Sequence, residues 1–164
     1  MSDELQIARA EVEDDGASLL VRIRVRSASR STLHFFAAPR ALHYDPASRE
    51  LTVRLTQSGI EELGLVPLVA RAPPMVAVDP LAEREIAIRL PRFVTRLEAG
   101  PTARAPSIVR LPAHQADGVT VEIGWSDRAF HRDPRGTAGS VHAQLQRWER
   151  GVARARWRRG PGAE

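Results

Sequence analysis

The sequence predicts an all-β protein of packed antiparallel sheets in a sandwich, and three observations carry that prediction. Apolar and polar residues alternate with period two in four separate stretches. Asp-Pro turns punctuate those stretches, and two proline-dense connections separate them. Successive side chains of an extended chain point to opposite faces, so one apolar row beside one polar row implies a sheet with one buried face.

Each element follows from its own residues. "LQIARAEV" (residues 5 to 12) reads as a first strand whose alternation slips once, a register change. "LVRIRVR" puts Val21, Ile23 and Val25 inside and Arg22, Arg24 and Arg26 outside. "ALHY" (41 to 44) and "LTVRLT" flank Asp45-Pro46, the opening of a type I turn, and are expected to pair as a hairpin with Leu51, Val53 and Leu55 inside. Asp79-Pro80 repeats the device before "EIAIRL", which buries Ile86, Ile88 and Leu90. "VTVEIGW" buries Val119, Val121, Ile123 and Trp125 and turns Glu122 outward. The connections holding Pro67, Pro73, Pro74 and Pro80, then Pro91, Pro101, Pro106 and Pro112, are too proline-rich for helices and too long for hairpins, as expected where a chain crosses between sheets.

Six to eight short strands with such crossings resemble an immunoglobulin-like or fibronectin-like sandwich in architecture. The cysteine, tryptophan, cysteine spacing of true immunoglobulin domains is absent, because the chain has no cysteine. After Trp125 the texture changes. Ser140 is an N-cap candidate, and Val141, Leu145, Trp148 and Val152 recur at helical spacing, with Gly151 as a stop. The expected organisation is a β-sandwich domain over residues 1–136 and a C-terminal amphipathic, arginine-rich helical tail over 137–164. Beyond Gly151, "VARARWRR" alternates again and is compatible with helix, edge strand or disorder.

Composition bounds the function. The 164 residues include 43% hydrophobic and 27% charged residues, the balance of a folding globular chain. All 24 basic residues are arginine, a bias that points to a GC-rich bacterial genome rather than to phosphate recognition at 24 places. The net charge of +4 is concentrated at the end: residues 141–159 carry six arginines and one glutamate. With no cysteine, disulfides, thiolate catalysis and cysteine-ligated metals are excluded. The acidic N-terminus has no signal-peptide pattern, and no apolar run approaches the ~20 residues of a spanning helix, so a cytoplasmic location without a membrane role is expected.

The stretch most suggestive of chemistry is "WSDRAFHRDPRG" (125 to 136), with Asp127, His131 and Asp133 as metal or acid/base candidates. Pro134 makes it a loop that does not preorganise ligands, so turn hydrogen bonding is the preferred role for both aspartates, with Trp125 and Phe130 as anchors. "RGTAGS" (135 to 140) lacks the lysine of a phosphate-binding loop. The five histidines show no metal spacing, and no nucleophile elbow occurs. No catalytic residue, metal site or cofactor is expected. The reading is a non-enzymatic accessory or adaptor module that binds another protein through Val141, Leu145, Trp148, Val152, Arg154, Arg156, Trp157 and Arg158 and through its loops. The alternatives are nucleic-acid binding by the Arg/Trp-rich tail and, behind it, a metal-dependent enzyme using the 125 to 136 loop. Homo-oligomerisation is compatible with either.

Overall fold

The computed structural model of the protein describes residues 4–57, 74–98, 107–135, 137 and 139–158, with Leu97 described by its backbone alone. Within these residues the chain is mostly β. The strands are β1 (Leu5–Asp14), β2 (Ser18–Ser27), β3 (Leu33–Phe36), β4 (Ala41–Asp45), β5 (Glu50–Leu55) and β6 (Met75–Val78). They continue with β7 (Glu83–Pro91), β8 (Val94–Glu98), β9 (Ser107–Leu111), β10 (Gly118–Ser126), helix α1 (Val141–Trp148) and β11 (Gly151–Arg158).

One sheet is three-stranded in the order β1-β2-β7, all antiparallel. The larger sheet runs β4-β5-β10-β3-β6, with β11 along the other flank of β10. Both donate their apolar rows to one core: Val21, Ile23, Val25, Ile86 and Ile88 from the first, Phe35, Leu51, Val53, Val121 and Ile123 from the second. Every inward position expected from alternation in the four stretches is buried. The slip expected in residues 5 to 12 is a register shift between Ile7 and Arg9. The Asp45-Pro46 hairpin is present, with Asp45 accepting from Ala47 N at 3.0 Å and from Ser48 Oγ at 2.8 Å.

The outward arginine row of β2 does not form a free cationic surface. Arg22 faces Glu13, Arg24 faces Glu85 at 3.3 Å, and Arg26 faces Glu83 at 2.6 Å. Beside it, the tight β1–β2 turn is built by Asp15, which accepts from Ala17 N, Ser18 N and Arg89 Nη1. The backbone hydrogen bonds from Ser18 and Ala17, with Arg89, hold its carboxyl down at about 2. Gly16 sits there at φ 85°, a left-handed conformation that glycine adopts without steric conflict.

Four expectations are corrected. Among the described residues the helical tail expected over 137–164 is helical only over Val141–Trp148; of the three forms left open beyond Gly151, residues 151–158 take the strand, β11, which pairs with β10 from Trp125↔Gly151 to Gly118↔Arg158. The physical reason is that an eight-residue partner satisfies the backbone groups along one flank of β10, which continued helix would leave exposed. The sheet is not wholly antiparallel, since β5 and β10 run parallel, Gly118↔Glu50 to Ile123↔Leu55. The second proline-dense stretch contains a hairpin, β8 with β9, because its prolines flank the strands and leave their paired interiors free. Glu122 points outward yet is buried, as are all nine residues of β10. The strands β3 and β6, too short to show a period, were not expected. Residues 58–73 and 99–106, which hold Pro67, Pro73, Pro101 and Pro106, lie outside the described residues, as do Gly136 and Ala138 of the 135 to 140 turn.

Candidate interaction surface on the six-stranded sheet

Pairing of β5, β10 and β11 sets their outward side chains in rows. Register places Arg54, Glu122 and Arg154 in one row, Thr52, Thr120 and Arg156 in the next, and Glu50, Gly118 and Arg158 in the third. Glu122 lies between two guanidiniums, 3.2 Å from Arg54 Nε and 3.4 Å from Arg154 Nε. One row away, Arg156 grips Glu50 with both Nε (3.1 Å) and Nη2 (2.7 Å), while Thr120 Oγ1 donates to the same carboxylate at 2.8 Å. Burial pushes the Glu50 carboxyl up, but the Arg156 and Thr120 hydrogen bonds outweigh it and the net displacement is downward. Gly118 leaves room for this carboxylate, which a Cβ at that position would push aside.

The carboxylates thus lie low on the sheet and the arginine heads stand over them. The Arg154 and Arg156 side chains are 70% and 53% exposed, against 11% for Glu122 and 17% for Glu50. Val152, on the same face of β11, is 38% exposed, and Arg158 is exposed at its far end. Four arginines over two carboxylates leave this three-strand face positive, counting Arg54, Arg154, Arg156 and Arg158 against Glu50 and Glu122.

At the end of the face, Glu149 joins helix to sheet. Its carboxylate accepts from Thr56 Oγ1 at 2.6 Å and Gln57 N at 2.7 Å, and lies against Gly124 where a Cβ would collide. The Gln57 amide donates to His142 Nδ1 at 2.7 Å and accepts from Arg40 Nη2 at 3.2 Å. Burial draws the Arg40 pKa down against the opposing charge of Glu149. These bonds fix where β11 begins.

The other side chains expected to bind a partner go elsewhere. Leu145 is fully buried and Trp148 is 7% exposed, packed with Phe36, Phe130 and half-buried Val141 in a second apolar cluster. The Trp148 indole stacks obliquely on Phe36 at 5.0 Å and donates Nε1–H to Arg128 O at 2.6 Å. Trp157 faces inward and packs on the main core. Of the eight residues, Val152, Arg154, Arg156 and Arg158 share one exposed face; Val141, Leu145, Trp148 and Trp157 are taken up by the chain's own packing.

In the 125 to 136 loop, Asp127 faces Arg150 Nε at 3.1 Å and Asp133 accepts from Arg135 N at 3.0 Å and Thr137 Oγ1 at 2.5 Å. His131 is exposed. Among the described residues no group of three His, Asp or Glu side chains is placed to hold a metal. A cavity of about 340 Å³ opens between Pro39–Leu42 on one side and Pro91 with Phe93–Thr95 on the other, and Arg40 is the one ionisable side chain lining it among the described residues. No helix among the described residues is long and apolar enough to cross a membrane.

Sequence reasoning found the β11 residues but missed Glu50, Thr120 and Glu149. Glu50 and Glu149 carry no local signal, because what matters is the strand each reaches across to; Gly118 and Gly124 within an otherwise large-residue strand were the available hint. Fold and surface define a mostly β protein with a positively charged, carboxylate-supported sheet face. Comparison with models of protein families, with curated protein sequences and with solved structures yields no match.

Proposed function

We propose that the protein is a non-enzymatic module of immunoglobulin-like or fibronectin-like sandwich form that binds another protein, in an accessory or adaptor role in a bacterial cytoplasm. The contact surface is the outer face of β11 with β10 and β5, centred on Val152, Arg154, Arg156 and Arg158. The observation that carries this reading is the set of carboxylates beneath the arginines. Glu122 and Glu50 hold Arg154 and Arg156 in place while leaving their heads largely exposed. Side chains ordered before binding lose less entropy on contact, which is how a flat polar face gains affinity. Its excess of arginine suits an acidic protein segment.

Nucleic-acid binding by stacking on Trp148 and Trp157 is the weaker reading, because both rings are packed into the chain. The test is capture from native lysate with wild-type protein and with Arg154→Gln/Arg156→Gln/Arg158→Gln. One stable protein partner, lost with the triple variant and reduced at high salt, is expected. Equal recovery by both proteins overturns the assignment of this face; recovery abolished by nuclease replaces the protein-binding reading with the nucleic-acid one.

A further inference from the structure

Strand β7 ends its sheet: it pairs with β2 along its whole length, and among the described residues no strand pairs with its other edge. Folded proteins usually blunt such an edge by keeping it short, bulging it or placing proline within it. Nine residues long, β7 pairs without a register shift, and its one proline is the last residue, Pro91. By contrast, Arg84 Nη1 caps a carbonyl of the neighbouring edge strand β6, Ala77 O, at 2.7 Å.

The centre of β7 is chemically symmetric. Read outward from Ala87, the residues are Ile86 and Ile88, then Glu85 and Arg89. If two such strands pair antiparallel about a two-fold axis at Ala87, Glu85 of each copy stands opposite Arg89 of the other, and Ile86 stands opposite Ile88. Both ion pairs form at once, and the small, exposed Ala87 lies at the axis. Charges that protect an edge act by meeting like charges when the strand meets its own copy; here self-pairing brings unlike charges together.

We propose that β7 is a self-association edge through which two copies join antiparallel about Ala87, extending the three-stranded sheet into a continuous sheet of six strands. Intrachain contacts orient the two charged groups without saturating them. Among the described residues, Glu85 receives Arg24 on Oε2 alone, and Arg89 meets Asp15 and Ser18 through Nη1 alone. Their side chains are 53% and 68% exposed. The association is independent of the β11 face, which belongs to the other sheet.

Sedimentation equilibrium from about 1 to 300 µM on the full chain tests this, with E85R, R89E and an equimolar mixture of the two. Wild type is expected to be a reversible dimer that weakens with salt, and each reversal to weaken self-association about tenfold by opposing like charges. The mixture should recover association, because one altered strand is again complementary to the other. A monomeric wild type at the highest concentration overturns the proposal, as do reversals that associate as tightly as wild type, or a mixture no tighter than its components. Should a reversal fail to fold by circular dichroism, E85Q and R89Q replace the pair: each should weaken association about threefold, with part of the loss recovered on mixing, because the mixed dimer keeps one Glu85–Arg89 pair. Unchanged association of both would then overturn it.

Discussion

Residues 141–148 and 151–158 are neighbours, both amphipathic and both arginine-bearing, yet they hold to the domain by different physics. Helix α1 presents Val141, Leu145 and Trp148 and docks by burying large apolar side chains and one indole hydrogen bond. Strand β11 presents Ala153, Ala155 and Trp157 inward and docks chiefly through its backbone ladder to β10, while its arginines engage carboxylates on the neighbouring strands. A small residue is a requirement only where the strand begins, at Gly151. The Trp125 ring lies over Gly151, where a Cβ would come within 2.7 Å of it. Similar amphipathicity therefore marks a packing element in one case and, in the other, an element whose outward face stays available.

That contrast can be broken most severely on the helix. Trp148→Ala removes the centre of the second cluster and orphans Arg128 O, and is expected to cost about 3–5 kcal/mol in chemical denaturation. A loss below about 1 kcal/mol would mean that α1 is not held by its apolar stripe. In the core shared by both sheets, Ile23→Ala should cost about 2–4 kcal/mol, whereas Arg24→Gln on the same strand, facing outward to Glu85, should change little. The reverse order would invert the register of β2.

Under β11 the effects should be smaller. Glu122→Gln leaves Arg54 and Arg154 facing each other over a neutral amide, and a loss of about 1–3 kcal/mol is expected, with Arg54→Gln restoring part of it in a double-mutant cycle. Additive effects would show that the row is a coincidence of geometry.

Acid should loosen the turns and the β11 face before the helix. Asp15 is held at about 2 by backbone hydrogen bonds, and Asp14, Asp45 and Glu50 are also displaced downward. A carboxyl whose folded pKa is depressed contributes stability above its ordinary value near about 4, and that contribution fades as pH falls through the folded value. The thermal midpoint should therefore drop from about pH 4 to about pH 2, and Asp15→Asn should flatten that drop. The smallest expected effect is Arg158→Gln, within about 0.5 kcal/mol of wild type, because the side chain is exposed at a strand end.

Sequence alone determined the elements whose signal is local. Alternation in β2, β5, β7 and β10 fixes which side chains face the core, and Asp45-Pro46 fixes the β4–β5 hairpin, because strand periodicity and turn chemistry act over a few residues. Ser140 likewise marks the start of α1, its Oγ accepting from Ala143 N. Tertiary structure alone decided three other things: that β5 lies parallel to β10, that residues 151–158 become a strand, and that Glu50, Glu122 and Glu149 support one face. Each depends on which distant segment comes alongside. A strand gains its hydrogen bonds only from a neighbour, and a carboxylate gains its arginine only across the sheet, so neither is written in the residues beside it in the chain.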